Sequence, residues 1–172
     1  MKKIFALLLT LLVLCAGCGG DGKKLDVKNV EPLKPIEIKN PKIEAIQDAK
    51  LKLIAKEIDA NLKKNDAIAE FHEIKYPKDA TNRVMVTLHC TGEKAITRKG
   101  VFHALSCAFK SVFADSSMKS ANIRVYDGKD DLCVLELDKE TEKQITWSQA
   151  EKMKDWNKIA ELYAEYPKMR RL

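Results

Sequence analysis

The hydrophobic pattern of the chain changes its period several times, and the order of these periods limits the folds that it can adopt. An apolar stripe at helical spacing runs over 43–64. Strand-like alternation follows and is clearest over 83–90, where Val84, Val86 and Leu88 point one way. The expected elements are helix 43–64, strands 69–76 and 83–90, helix 97–114, strands 121–126 and 132–138, and a last helix from Ser148 to Tyr166.

This order, α-β-β-α-β-β-α, predicts a single α+β domain. Strand pairs separated by helices favour an antiparallel sheet of about four strands with helices mainly on one face. Asp127-Gly128 is a strong turn signal and predicts that the last two strands form a hairpin. Ser148 and Glu151 form a capping box, which predicts the start of the last helix.

The first residues of the chain have the layout of a secretory signal peptide. Lys2 and Lys3 precede an apolar run from Ile4 to Leu14, which the small residues Ala16 and Gly17 follow. The uncharged stretch over 4–17 has 14 residues, fewer than the roughly 20 that a helix needs to cross a bilayer core. We therefore expect a cleaved signal peptide and not a permanent span.

Cys15-Ala16-Gly17-Cys18 resembles the lipobox of bacterial lipoproteins, in which an aliphatic residue, a small residue and Ala or Gly precede the lipidated cysteine. The position three before that cysteine is usually Leu, and here it is Cys15. The resemblance covers 1–20 only. It implies that residues 1–17 are removed and that Cys18 carries diacylglycerol on its sulfur. The other register, with Cys15 as the acceptor, would place bulky Leu14 at the cleaved bond.

A covalent lipid on Cys18 implies that the protein is attached to a membrane. Two or three acyl chains hold a protein stably on a membrane where one chain does not. We expect a lipid-anchored protein that faces outside the cytoplasm at the cell membrane, and no cofactor besides the lipid. Gly19 replaces the Asp that favours inner-membrane retention in some Gram-negative bacteria, which points toward the outer membrane there.

The segment that follows the lipidated cysteine predicts a tether. Prolines 32, 35 and 41 disfavour helix over 18–42 and favour extended backbone. The globular domain is then expected over 43–172. Removal of Lys2 and Lys3 lowers the formal net charge from +6 to +4. The remaining charges form no basic stripe interleaved with aromatic residues, so no nucleic-acid partner is expected, and an envelope protein is the expected partner.

Cys90 and Cys133 are candidates for a disulfide. Cys90 ends its predicted strand and Cys133 begins its own, so the two would lie at one edge of the sheet if these strands were antiparallel neighbours. The alternative is that both are reduced, small core residues.

His103 and Cys107 are the other candidate pair. Their i, i+4 spacing places them on one helix face, which suits metal ligation or an activated thiolate. Two ligands do not complete a metal site, and a nucleophile with its base also needs an orienting group and an oxyanion hole. The alternative is that Cys107 is partly exposed or meets another helix. No catalytic or metal residues are therefore assigned, and the pair stays a weak candidate.

Two further clusters have a functional and a structural interpretation. The acidic turn with Asp127, Asp130 and Asp131 lacks the alternating ligands and closing glutamate of a calcium loop, which favours a solvated turn. Aromatic residues near the C-terminus either line a binding groove or pack the last helix onto the sheet. They are Trp147, Trp156, Tyr163 and Tyr166.

Anchor, tether and domain together predict a binding or scaffolding module in the cell envelope. The alternative is an envelope enzyme or metal-dependent protein that uses Cys107 and His103.

Overall fold

A five-stranded mixed sheet with helices packed on one face forms the domain. The structure is a computed structural model and describes residues 40–172. Helix α2 packs on β1, helix α3 packs on β3, and the two helices contact each other. The elements in chain order are α1 Pro41–Glu44, α2 Ala49–Lys64, β1 Ala69–Lys75, β2 Arg83–Cys90, α3 Arg98–Ala114, β3 Ser120–Asp127, β4 Asp130–Asp138, α4 Lys139–Gln144, the 3₁₀ helix η1 Trp147–Lys152, α5 Trp156–Ile159, β5 Leu162–Glu165 and the 3₁₀ helix η2 Met169–Arg171.

The strands lie in the order β1-β2-β3-β4-β5. β2 and β3 are parallel, with Val84 opposite Ala121, whereas the other neighbouring pairs are antiparallel. A parallel pair needs a long crossover, and α3 provides it between β2 and β3. The α+β class and the single domain are confirmed. The expected antiparallel sheet of about four strands agrees in part, because three of the four strand pairings are antiparallel, but the sheet has five strands and one parallel pair.

The core lies between the sheet and the two long helices. Val84, Val86 and Leu88 of β2 are buried, as the alternation predicted. The predicted stripe of α3, which includes Leu105, is buried as well. Thr97 caps α3, because its side chain accepts a hydrogen bond from the amide of Gly100.

The expected continuous helix over 43–64 is interrupted. Asn40 caps α1 by accepting from the amide of Lys42, and Pro41 occupies the first turn. Asp48 then caps α2 by accepting from the amide of Leu51 at 2.8 Å. Because each cap begins a new helix, the single predicted helix becomes two, and α1 includes the last two residues of the predicted tether, 41–42.

The expected helix from Ser148 to Tyr166 is also wrong. The segment forms η1, α5 and the edge strand β5, where Leu162 lies opposite Glu136 of β4. Without β5, the backbone groups of β4 on that side would have no strand partner. The short helix α4 was not expected, and Asp138 caps it by accepting from the amide of Thr141 at 2.7 Å.

The signal peptide, the lipobox with Cys18, and the tether up to residue 39 lie outside the described residues. Among the helices of residues 40–172, none is both long enough and apolar enough to cross a membrane.

Candidate functional site

A pocket of about 310 Å³ opens where α2, α3 and η1 meet. We call it the α3 pocket, because half of its lining comes from that helix. The lining residues are Asn61 and Asn65 of the α2 end, Lys99, His103, Ser106, Cys107 and Lys110 of α3, and Trp147, Ser148 and Glu151 of η1.

The five lining residues of α3 form a polar stripe on an otherwise apolar helix. At about 100° per residue they fall within an arc of about 100°. The buried residues Val101, Leu105 and Ala108 lie on the opposite side and face the sheet. One side of α3 thus holds the core while the other presents an ammonium, an imidazole, a hydroxyl, a thiol and a second ammonium to the pocket.

The α2 side of the pocket is held by hydrogen bonds to α3. The side-chain amide of Asn61 donates to the carbonyl of Cys107 at 2.9 Å and to the hydroxyl of Ser111 at 3.1 Å. The side-chain amide of Asn65 donates to the carbonyl of Asn61 at 2.8 Å. Asn61 interrupts the apolar stripe of α2 in the sequence, and these contacts give the reason: it fixes the two helices to each other.

His103 is oriented by α2. Its Nε2 lies 3.1 Å from the backbone carbonyl of Asn65, which can only accept, so Nε2 carries the proton. Nδ1 is then the ring nitrogen that is left for other contacts.

Cys107 is buried, with 4% of the residue exposed, and it meets α2 through its carbonyl. Burial raises the pKa of the Cys107 thiol, although the charge of Lys110 acts in the other direction. The sulfur is therefore a thiol near neutral pH, whereas nucleophilic and metal-binding cysteines are thiolates. Within residues 40–172 there is no group of three or more His, Cys, Asp or Glu side chains placed to hold a metal ion.

The α3 pocket contains hydrogen-bond donors without partners. Within residues 40–172, the ammonium groups of Lys99 and Lys110 form no ion pair or hydrogen bond. Ser106 is only 6% exposed, and its hydroxyl has no hydrogen-bond partner in the same range. These groups remain available to a ligand.

The predicted aromatic residues divide between the pocket and the core. Trp147 lines the pocket, stacks on Phe109 with a centroid distance of 5.7 Å, and donates its indole N–H to Glu142 at 2.9 Å. Trp156 is fully buried and stacks between Phe102 and Tyr163, at 5.3 and 5.5 Å. The packing interpretation therefore holds for Trp156.

The last of the four predicted aromatic residues, Tyr166, contributes a backbone contact. Its amide donates to the carbonyl of Leu132 at 3.1 Å, which continues the pairing of the C-terminal segment with β4.

Arg98 connects η1 to β5 behind the pocket. Its Nε donates to the carbonyl of Glu151 at 2.8 Å, and its Nη2 donates to the hydroxyl of Tyr163 and forms an ion pair with Glu165. Burial acts to raise the pKa of Glu165, but the hydrogen bonds from Arg98 and Tyr163 and the charge of Arg98 outweigh it and lower that pKa. Arg98 thus holds the η1 wall of the pocket in place.

Cys90 and Cys133 are buried free thiols on strands that are not neighbours. β3 lies between β2 and β4. Two strand spacings amount to about 9.6 Å, beyond the Cα separation of about 6.8 Å that a disulfide tolerates. The premise of the pairing, that the two strands are neighbours, is therefore not met. Burial, with a smaller effect of Asp127, raises the pKa of Cys90 to about 11, and burial with nearby Glu165 raises that of Cys133 to about 12.

The acidic turn is paired with cations. Lys168 contacts Asp127 at 2.5 Å and Asp130 at 3.3 Å, and Arg124 holds Asp131 with two hydrogen bonds at 2.5 and 2.7 Å. All three carboxylates of the turn therefore have a cationic partner within the protein.

The sheet face opposite the long helices carries three aromatic rings that the sequence did not single out. Tyr126 stacks with His89 at 4.6 Å and meets His72 edge-on at 5.3 Å. Lys42 donates to His72 at 2.9 Å. These side chains already contact one another.

Most of the pocket was not predicted, although the sequence contains a signal for it. Lys99, Ser106 and Lys110 fall on the same helical face as the proposed pair His103 and Cys107. Comparison of the chain with protein-family models, with curated proteins and with solved structures finds no match. The case for a function therefore depends on the chemistry of the α3 pocket.

Proposed function

We propose that the chain is a lipid-anchored binding module of the cell envelope and that the α3 pocket holds its ligand. The signal peptide pattern and Cys18 support the anchor, and the proline-containing segment over 18–42 supports a tether. In this proposal the protein attaches to the membrane through the lipid, faces outside the cytoplasm and delivers what it binds to an envelope protein.

One observation carries the binding function: the α3 pocket is lined by polar groups that the protein itself leaves without partners. Ser106 is almost fully buried as a residue, but its hydroxyl lines the open pocket and has no hydrogen bond within residues 40–172. Lys99 and Lys110 add two unpaired charges to the same lining. A ligand with complementary groups would satisfy all three at once.

The alternative, an enzyme that uses Cys107 and His103, has less support. A cysteine nucleophile acts as the thiolate. Burial raises the pKa of Cys107, which favours the unreactive thiol.

Filling the pocket tests the binding function. We expect the mature lipidated protein, purified in detergent, to bind members of a mixture of small polar metabolites in saturation-transfer NMR. Ser106→Leu places a larger side chain in the wall and is expected to abolish these signals. Ser116→Leu, at an exposed position beyond the end of α3, is the matched control.

Binding that survives Ser106→Leu, in a variant whose circular dichroism is unchanged, would contradict the proposal. Complete absence of binding by the unmodified protein would contradict it equally.

Signal-peptide processing and labelling with a radioactive fatty acid test the anchor. Cys18→Ser is expected to leave the signal peptide uncleaved and to abolish lipidation, whereas Cys15→Ser, which changes a residue of the removed segment, should leave both intact. If Cys18→Ser changes neither processing nor labelling with a radioactive fatty acid, the lipid anchor is wrong.

A further inference from the structure

The α3 pocket also indicates the chemical class of its ligand, an inference that rests on the proposed function. We infer that the pocket takes a small hydroxylated molecule with one oxyanion group, either a carboxylate or a phosphate ester.

The charges of the lining favour an anion. The pocket contains two lysines, Lys99 and Lys110, against a single carboxylate, Glu151. Neither ammonium has an ion-pair partner within residues 40–172. An anion in the pocket would be attracted by both, and a partly enclosed site screens these charges less than bulk water does.

The hydrogen-bonding groups that remain free lead to the same class. The side-chain amides of Asn61 and Asn65 already donate within the protein and are not available to recognise a neutral amide. The free donors of the lining include the two ammonium groups and the hydroxyls of Ser106 and Ser148. Such a donor-rich set suits the oxygens of a carboxylate or phosphate, which only accept when they are ionised. Glu151 adds an acceptor for a ligand hydroxyl.

The volume limits the size of the ligand. The pocket holds about 310 Å³, which is at the small end of the range of about 300–1,000 Å³ for ligand pockets. A three-carbon hydroxy acid or its phosphate counterpart is small enough to fit.

His103 adds a further polar group to the lining. Its Nε2–H is committed to the carbonyl of Asn65, so Nδ1 is the ring nitrogen left for contact with a ligand.

Calorimetric titration of the mature lipidated protein in detergent tests the class with three probes. We expect D-glycerate or glycerol 3-phosphate to bind and uncharged glycerol not to bind; which of the two binds more tightly distinguishes carboxylate from phosphate. Loss of one charge-assisted contact corresponds to about tenfold weaker binding. Lys99→Gln and Lys110→Gln should each show that loss, and Lys129→Gln, at the exposed hairpin turn, should not.

The remaining outcomes distinguish failure of the oxyanion ligand class from failure of the proposed binding function. Equal binding of glycerol and the charged probes, or affinity for the charged probes that Lys99→Gln and Lys110→Gln leave unchanged, would overturn the oxyanion class. Absence of binding by either charged probe would overturn it as well. In each case the proposed function still stands if Ser106→Leu abolishes binding of other metabolites, and it fails if no metabolite binds.

Discussion

Arg98→Met should destabilise the domain mainly by leaving Glu165 without its cation. The Arg98 and Glu165 side chains are 27% and 15% exposed, so water replaces the lost partner only in part. A hydrogen bond to a charged group contributes about 1.5–3 kcal/mol. Arg98 also lies 5.4 Å above the ring of Phe102, a contact worth about 0.5–1 kcal/mol. The side-chain entropy that methionine retains offsets part of this sum.

We therefore expect Arg98→Met to lower the free energy of unfolding by about 2 kcal/mol at pH 7. For a domain of this size that corresponds to a fall in Tm of roughly 6–10 °C. Thermal unfolding followed by circular dichroism measures it. The loss should be smaller in a Glu165→Gln background, because the double-mutant cycle removes the pair itself.

The destabilisation caused by Arg98→Met should become smaller at low pH. The pKa of Glu165 in the folded protein is lowered, so its ion pair stabilises the fold above the unfolded-state pKa of about 4.3 and is lost as the pH falls through the folded-state value. The difference between Arg98→Met and the unmodified protein should therefore shrink below about pH 4. An equal loss at pH 7 and pH 3, or no coupling in the cycle, would refute this account of the Arg98 contacts.

Three further predictions concern the cysteines, the hairpin turn and β5. The three buried thiols should react slowly with a thiol reagent at pH 7.5 and fully after unfolding, because burial raises their pKa values. Gly128→Ala should cost about 1–2 kcal/mol in urea unfolding, because Gly128 has a φ of +60°. Glu161→Gln should raise the Tm slightly at pH 7 but not below about pH 4, because the hydrogen bond to Glu136, burial and the charge of Glu136 raise the pKa of Glu161.

Each of these predictions has a control or an opposing result. A thiol that reacts within seconds in the folded protein would show an activated cysteine. Lys129→Ala, beside Gly128 in the same turn, should leave the urea midpoint unchanged; equal losses in the two variants would contradict the φ argument. A lower Tm for Glu161→Gln at pH 7 would show that the carboxylate of Glu161 stabilises β5 in its ionised form.

The elements with a strong local signal could be predicted from the sequence. The alternation over 83–90 coincides with β2, and Thr97 begins α3 where the pattern starts. Asn40, Pro41 and Asp48 are ordinary helix-start residues, so the break between α1 and α2 was also readable from the sequence.

The elements that depend on distant partners could not be predicted in the same way. Leu162 to Glu165 becomes a strand because the edge of β4 is open, and no local period records that edge. Ser148 and Glu151 have the spacing of a capping box but lie in a 3₁₀ helix, because the contact of Arg98 with the carbonyl of Glu151 fixes the segment against α3 and β5.

Only part of the candidate site could be predicted from the sequence. His103 and Cys107 were found as a pair because their residue types suggest chemistry, whereas Lys99, Ser106 and Lys110 were not assigned to a site. Only the position of η1 over α3 turns their shared helix face into a pocket. The same packing buries Cys107 against α2, which agrees with the alternative that it meets another helix and not with partial exposure.

Mapping a bound ligand by NMR tests the central claim, that the α3 pocket is the binding site, most directly. In the ¹⁵N-labelled mature protein, D-glycerate or glycerol 3-phosphate should shift the amide signals of 99–110 and 147–151 in a saturable way, and Ser106→Leu should abolish the shifts. Saturable shifts confined to the sheet face around His72, His89 and Tyr126, or no saturable shift for any small ligand, would contradict the claim.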